Sequence, residues 1–253
     1  MSHLIKVSIV SYLNSKPFLF GIQKFKDELN IDLSLDVPSE CARKLINNEV
    51  DIGLIPVAVL PLLKEKYIIS DYCIGALGKV SSVMLYSRVP LQKIKTIVLD
   101  FQSRTSVMLV KVLAKHLWKI SPEFINASSD SDLIADNVKA GVVIGDRTFQ
   151  LNGHHDFELD LAEEWYKLTR MPFVFACWVA NKKLDSAFIE KFNKALKYGV
   201  GSRKDMLAFW KKEFDYAHLD DYLMNKIRFE FGEQQKIALD KFLNFLNELN
   251  TSD

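Results

Sequence analysis

Ser11-Tyr12-Leu13-Asn14-Ser15-Lys16-Pro17-Phe18 follows directly on an apolar run, Ile5–Val10. The run is typical of a β-strand, and the polar residues after it indicate a turn from a strand into a helix. Proline is tolerated at the first helical position, and Asn or Ser before it can cap the free N–H groups. Such turns leave backbone donors at the carboxyl end of a sheet, where α/β proteins bind ligands. These eight residues therefore predict a ligand site beside the first strand.

Strands alternate with helices along the first third of the chain, and this rhythm predicts a largely parallel sheet with helices on both faces. A second series of the same kind begins at Thr96 and ends in the apolar run Pro172–Ala180, which is typical of a strand covered on both faces. From Leu184 onwards the apolar residues recur at helical spacing. The expected helices there lie around residues 203–214, 220–231 and 233–249.

Two α/β lobes account for this order of elements. We expect lobe 1 to contain residues 1–88 and 177–253, so that the C-terminal helices return to it, and lobe 2 to contain residues 89–176. The two lobes are expected to be joined by hinge crossings near residues 87–90 and 172–179. This architecture is similar to that of the type II periplasmic binding proteins, an α/β fold with the ligand in a cleft between the lobes.

Composition excludes several classes of function. The 253 residues carry 33 basic and 32 acidic side chains, so no basic stripe favours nucleic acid. No apolar stretch is long enough to cross a bilayer, and the first strand follows Met1 with no secretion signal between them. The three cysteines are widely spaced in apolar surroundings, as expected of reduced core residues. We therefore expect a cytoplasmic globular protein without membrane insertion.

Five segments in order along residues 5 to 180 resemble the chorismate dehydratase family of the futalosine route to menaquinone. They are the turn at 11–18, Asp51-Ile52-Gly53-Leu54-Ile55-Pro56, Ser103-Arg104-Thr105-Ser106-Val107, Ile144-Gly145-Asp146-Arg147, and Trp165-Tyr166-Lys167-Leu168-Thr169 running into Pro172–Trp178. The sequence differs from the family pattern at Arg170-Met171, where the family usually has Gly and an apolar residue. It also differs at Phe18, which replaces a more usual Leu. Dihydroxynaphthoate synthase, which shares the fold, carries a Pro-Asn-Asp-Thr-like turn that is not present here.

The resemblance implies a lyase that converts chorismate to 3-[(1-carboxyvinyl)oxy]benzoate and water, without a metal or an organic cofactor. Its partner would be a small dicarboxylate substrate. Asn14 is the residue expected at the reacting centre, and its alternative role is that of a helix cap. The other candidate contacts to substrate are Ser11, Tyr12, Ser82, Ser103, Arg104, Thr105, Ser106 and Asp146.

Residues 103–106 are expected at the N-terminus of a helix, where free N–H groups, hydroxyls and the helix dipole favour an anion. This position supports the segment as a carboxylate-binding site. Arg104 could pair with a carboxylate or face water, and Asp146 could line the cleft or cap the next helix. His154 and His155 stand in a polar loop and are expected to be solvated rather than metal ligands. A different class of function also fits this fold, namely a cytosolic small-carboxylate binding protein or sensor without catalysis.

Overall fold

The structure, a computed structural model, describes residues 4–134, 140–214 and 216–251. The chain divides into two compact units. Unit 1 consists of Met1–Gly75 and Val174–Gly232, and unit 2 consists of Ala76–Phe173 and Glu233–Asp253. Each unit contains its own sheet and its own helices.

The strands are numbered in chain order. They are β1 Ile5–Val10, β2 Ile31–Asp36, β3 Ile52–Pro56, β4 Tyr67–Ala76, β5 Val83–Ser87, β6 Thr96–Leu99, β7 Glu123–Asn126, β8 Ala140–Ile144, β9 Phe157–Asp160, β10 Phe173–Ala180 and β11 Ile227–Glu230.

The α-helices are numbered in the same way. They are α1 Lys16–Lys24, α2 Lys26–Leu29, α3 Pro38–Ile46, α4 Thr105–Leu113, α5 Asp130–Ile134, α6 Thr148–Leu151, α7 Leu161–Thr169, α8 Ser186–Gly201, α9 Arg203–Glu213, α10 Leu219–Asp221 and α11 Glu233–Asn250. Short 3-10 segments cover Leu13–Ser15, Val57–Leu62, Leu91–Lys93 and Gly145–Arg147, and π-turns cover Ala114–Trp118 and Tyr222–Lys226.

The sheet of unit 1 has six strands in the order β11-β4-β10-β3-β1-β2. β1 pairs in parallel with β2 and β3, whereas β10 pairs antiparallel with β3. β3 and β10 are buried at every position, which explains their continuous apolar sequence. The carboxyl ends of β1 and β2 lie at the same edge, where the turn after β1 begins.

The sheet of unit 2 has five strands in the order β7-β6-β8-β5-β9. β6 runs parallel to β7 and β8, and β5 runs antiparallel to β8 and β9. Both sheets are therefore mixed rather than largely parallel as expected, but the α/β class is confirmed. The carboxyl ends of β6, β8 and β9 share one edge with the start of β5.

The division into units differs from the expected lobes at the first crossing. The expected hinge at residues 87–90 lies within unit 2, since β5 pairs with β8 and β9. The chain instead leaves unit 1 at the end of the ten-residue strand β4, between Gly75 and Ala76. The chain returns to unit 1 between Phe173 and Val174.

The last helix also differs from expectation, because α11 belongs to unit 2. Its aromatic residues explain this placement. The rings of Phe242 and Phe245 meet the buried ring of Trp165 edge-on, at centroid distances of 5.9 and 6.0 Å. Phe245 also lies 4.5 Å from the His116 ring. Of the C-terminal segments, α8, α9, α10 and β11 belong to unit 1.

One local prediction is corrected by the structure. Residues 227–230 were expected within a helix but form strand β11, where Ile227 and Phe229 are buried and Arg228 and Glu230 are exposed. This alternation has the period of a strand. Arg170 ends α7 in the left-handed conformation, with φ of 59°, which accounts for the glycine that the family usually has there.

Candidate active site

The turn after β1 is held by backbone and hydroxyl contacts within unit 1. The amide of exposed Ser11 donates to the carbonyl of Asp36, at the end of β2, over 2.9 Å. Tyr12 is the N-cap of the 3-10 segment, and its carbonyl accepts from the amide and the hydroxyl of Ser15. The Ser15 hydroxyl also donates to the Val10 carbonyl. These bonds fix the path of the chain on both sides of Asn14.

Asn14 does not cap a helix. The N-cap positions of the 3-10 segment and of α1 are Tyr12 and Ser15, and neither uses a side-chain cap. Asn14 Oδ1 is buried and accepts no hydrogen bond from any described residue. Since buried polar atoms are nearly always paired, this oxygen needs a hydrogen-bond donor from outside the described residues, such as a ligand or a water molecule. Lys16, two residues after Asn14, forms an ion pair with Glu213 and lies over the Phe214 ring.

The start of α4 supplies a compact set of donors in unit 2. Ser103 Oγ accepts from the amide of Ser106 over 3.0 Å, so Ser103 performs the capping role. Ser103, Thr105 and Ser106 are buried. Arg104 is exposed, and its guanidinium makes no ion pair with a described residue. Its donors are therefore free to bind an anion.

A buried carboxylate ties this helix start to the end of β8. Asp100 accepts from the amides of Gln102 and Ile144, both over 2.9 Å, and from the Arg147 guanidinium over 2.5 Å. Arg147 also pairs with Asp130 and lies over the Phe101 ring. Asp100 thus fixes the loops on either side of it at the shared edge of the sheet.

Ser82 and Asp146 lie at the same edge. The carbonyl of Ser82, which is 2% exposed, accepts from the amide of Gly145 over 2.9 Å. Asp146 lies in the 3-10 segment that follows β8, and the N-cap of the next helix is Arg147. Asp146 is therefore not the N-cap of that helix.

The structure brings the predicted site residues together in two sets, one in each unit. Ser11, Tyr12 and Asn14 form the set of unit 1, and the edge of the unit 2 sheet gathers Ser82, Ser103, Arg104, Thr105, Ser106 and Asp146.

Sequence reasoning missed Asp100 and Asp160, the two buried aspartates of this edge. Asp100 directly follows the largely apolar strand β6, and that position was an available signal, whereas Asp160 ends the short strand Phe157-Glu158-Leu159-Asp160, which has no apolar run to mark it. Asp160 accepts four amide hydrogens, from Val80, Ser81, Ala162 and Glu163. Burial raises the pKa of Asp160, and these four hydrogen bonds oppose that shift.

No group of three or more metal-binding side chains comes together among residues 4–134, 140–214 and 216–251. In the polar loop, His154 is exposed, and the centroid of the His155 ring lies 4.5 Å from that of Tyr86, with the two rings tilted by 34°. Within the same described ranges, no helix is long and apolar enough to cross a membrane.

A family model described as menaquinone biosynthesis matches residues 5–248. The chain belongs to this family. Two relatives, both named chorismate dehydratase, are 24% identical to it. The protein from Thermus thermophilus aligns with 91% of this chain and 96% of its own length. The protein from Campylobacter jejuni aligns with 95% of this chain and 97% of its own length.

Solved structures show the fold of this family member. A structural-genomics protein from Archaeoglobus fulgidus matches with a TM-score of 0.78 at 15% identity, covering 99% of both chains. The alkanesulfonate-binding protein SsuA from Xanthomonas axonopodis matches with a TM-score of 0.66 at 12% identity, covering 98% of this chain and 92% of its own. A Candida albicans protein described as having the generic periplasmic binding protein fold matches with a TM-score of 0.59 at 16% identity, covering 97% of this chain and 95% of its own. The periplasmic-binding-protein-like fold is confirmed.

Proposed function

We propose that this chain is a chorismate dehydratase, a carbon–oxygen lyase that forms 3-[(1-carboxyvinyl)oxy]benzoate and water on the futalosine route, in the cytoplasm. The observation that carries the proposal is the match over nearly the whole length of two proteins with that name, together with this chain's own membership of the menaquinone biosynthesis family. The unpaired oxygen of Asn14, in the turn after β1, supports it.

The reaction needs little chemistry from the protein. The C3 hydrogen of chorismate is γ to an unsaturated carboxylate, so its removal gives a dienolate that expels the neighbouring C4 hydroxyl. The ring becomes aromatic, and the proton from C3 and the hydroxide from C4 leave as water. The protein must bind two carboxylates, hold C3 beside a proton acceptor and stabilise the departing hydroxyl.

Asn14 is assigned to the reacting centre as a hydrogen-bonding group. A carboxamide is too weakly basic to remove a proton from carbon, and residues 11–18 contain no carboxylate or imidazole. We assign proton removal to the enolpyruvyl carboxylate of chorismate itself, held beside C3. In this scheme Asn14 orients that group and the ring, and Ser11 and Tyr12 shape the turn around them.

The edge of the unit 2 sheet is assigned to binding a substrate carboxylate. The start of α4 offers the buried hydroxyls of Ser103, Thr105 and Ser106 and the positive end of a nine-residue helix. Arg104 adds a guanidinium that can bind a carboxylate with two parallel hydrogen bonds. Ser82 and Asp146 belong to the same binding surface.

The direct test is to incubate the purified protein with chorismate and follow the products by NMR. We expect a meta-substituted benzoate that retains the enolpyruvyl group, formed faster than in a sample with heat-inactivated protein. The inactivated sample is necessary because chorismate also decays without an enzyme. Calorimetry on the same preparation gives the affinity. Tight binding of chorismate without this product would contradict the proposal and favour a small-carboxylate binding protein.

A further inference from the structure

Ser81 has an unusual backbone conformation. It is one of five described residues other than glycine with positive φ, which in its case is 66°. Of the other four, Asn30, Lys119 and Arg170 directly follow the end of a helical segment, and Asn48 comes two residues after the end of α3. The left-handed conformation is ordinary at such positions. Ser81 instead stands just before strand β5 and is 3% exposed. A strained residue in a buried turn persists only where its surroundings hold it in place.

Side chains from two other segments of unit 2 hold this turn. Asp160 Oδ2 accepts from the amide of Val80 over 2.8 Å and from the amide of Ser81 over 2.6 Å. Asn152 Nδ2 donates to the Ser81 carbonyl over 3.2 Å, and its Oδ1 accepts from the Tyr86 hydroxyl over 2.5 Å. Both peptide groups of Ser81 are therefore fixed by side chains distant in sequence.

Capping of α7 does not account for the hydrogen bonds that the second carboxylate oxygen of Asp160 accepts. Its Oδ1 already caps α7, accepting from Ala162 and Glu163 over 3.1 and 3.2 Å. Asp185 caps α8 in the same way with Oδ1 alone, and its Oδ2 has no hydrogen-bond partner among the described residues. Capping thus needs one carboxylate oxygen, and Asp160 uses the other for the turn at Ser81.

We infer that Asp160 is a positioning residue for Ser82, which it places by holding Ser81 in the left-handed conformation. Ser82 directly follows the strained residue and belongs to the proposed binding surface, so the inference rests on the proposed function. The turn is joined to the neighbouring loop by the bond from the Gly145 amide to the Ser82 carbonyl. A substitution at Asp160 would therefore displace Ser82 and so alter its contact with the substrate.

Asp160→Asn separates the two roles of the carboxylate. The amide can keep Oδ1 on α7, but its Nδ2 then faces the amides of Val80 and Ser81, which lose their acceptor. Asp185→Asn is the matched control, because that cap uses one oxygen only. At a temperature where all variants are folded, we expect Asp160→Asn to lower kcat for chorismate by about tenfold and Asp185→Asn to change it by less than about twofold.

A double-mutant cycle with Ser82→Ala tests whether the effect passes through Ser82. We expect the loss caused by Asp160→Asn to fall to less than about twofold once the Ser82 hydroxyl is gone. An equal loss in both backgrounds would mean that Asp160 only supports the fold, and would overturn the inference. If Ser82→Ala has no measurable turnover, the same cycle is run on the chorismate dissociation constant by calorimetry.

A crystal structure of Asp160→Asn tests, without any activity assay, whether Asp160 positions Ser82. We expect Ser81 to leave positive φ and Ser82 to move relative to β5. Ser81 remaining left-handed with Ser82 in place would overturn the inference. If the unmodified protein neither binds nor converts chorismate, the proposed function fails, while this structural comparison still tests the positioning role.

Discussion

Gly21 and Gly199 face each other where α1 crosses α8. A Cβ atom on Gly21 would collide with the Ala195 carbonyl, and one on Gly199 would collide with the Pro17 carbonyl. The two helices therefore pack backbone against backbone. Because α1 directly follows the turn that carries Asn14, this contact also fixes the turn from its far side.

Gly199→Ala should destabilise the protein by about 1–3 kcal/mol or more, because backbone atoms must move apart to admit the methyl group. Thermal unfolding followed by circular dichroism should show a midpoint several degrees lower. Gly201→Ala is the control in the same helix, since a Cβ there meets nothing within 4 Å. It should be neutral or slightly stabilising. Equal midpoints for the two variants would refute the close contact.

Asn14→Ala should lower kcat by about a hundredfold, the usual effect of removing one oriented hydrogen-bonding group from a reacting centre. Its unfolding midpoint should stay unchanged, because Oδ1 accepts no hydrogen bond from a described residue. Full activity in this variant would remove Asn14 from the reacting centre.

Asn14→Asp should keep measurable turnover but bind chorismate more weakly. The new carboxylate keeps the shape and can itself accept the C3 proton. It also repels a dicarboxylate, by roughly 4 kcal/mol for charges 4 Å apart at an effective dielectric constant of 20. We expect KM to rise more than kcat falls, as measured by steady-state kinetics. A variant that binds chorismate as tightly as the parent would argue against a substrate carboxylate near Asn14.

Arg104→Ala should raise KM by about tenfold and leave kcat nearly unchanged, since a lost contact to a spectator carboxylate weakens binding throughout the reaction. The KM of the parent should rise with added salt, and this dependence should be smaller in the variant. Arg228→Ala is the control, because it removes the same charge from an exposed position on β11. If both variants behave alike, Arg104 faces only water.

Acid should destabilise unit 1 through Asp36. Burial alone would raise the pKa of Asp36, but hydrogen bonds from Lys44, Ser34 and Ser8 outweigh burial and hold that pKa below its ordinary value. The resulting stabilisation is therefore fully present above the unfolded pKa of about 3.9. It is lost as the pH falls through the lower pKa of the folded state.

Denaturant unfolding between neutral pH and about pH 3 should show this loss, and Asp36→Asn should reduce it. The substitution removes the titrating group and also lowers stability at neutral pH, because Lys44 loses its partner at 2.7 Å. An unchanged pH dependence in Asp36→Asn would place the acid sensitivity elsewhere in the chain.

Local sequence patterns predicted the parts of the fold that depend on neighbouring residues. β1 and the polar turn after it lie where the apolar run and Pro17 placed them, and β10 is buried along its length as its sequence predicted. The order of these segments was also enough to identify the family and the fold class, both of which are confirmed. The roles of Asn14 and the other site residues stay predictions.

Contacts between segments distant in sequence determined where the chain crosses between the units and which unit α11 joins. The first crossing was expected at residues 87–90 but lies at the end of β4, because β5 pairs with β8 and β9. α11 joined unit 2 because its aromatic face packs on Trp165.

The same reason explains the missed aspartates of the candidate site. Asp100 reaches the Ile144 amide 44 residues away, and Asp160 reaches the Val80 amide 80 residues away. A strand or a turn is determined by a few adjacent residues, so the sequence by itself determined the Asn14 turn. The partners of a buried carboxylate are set only when distant segments fold against each other, so only the tertiary structure could decide them.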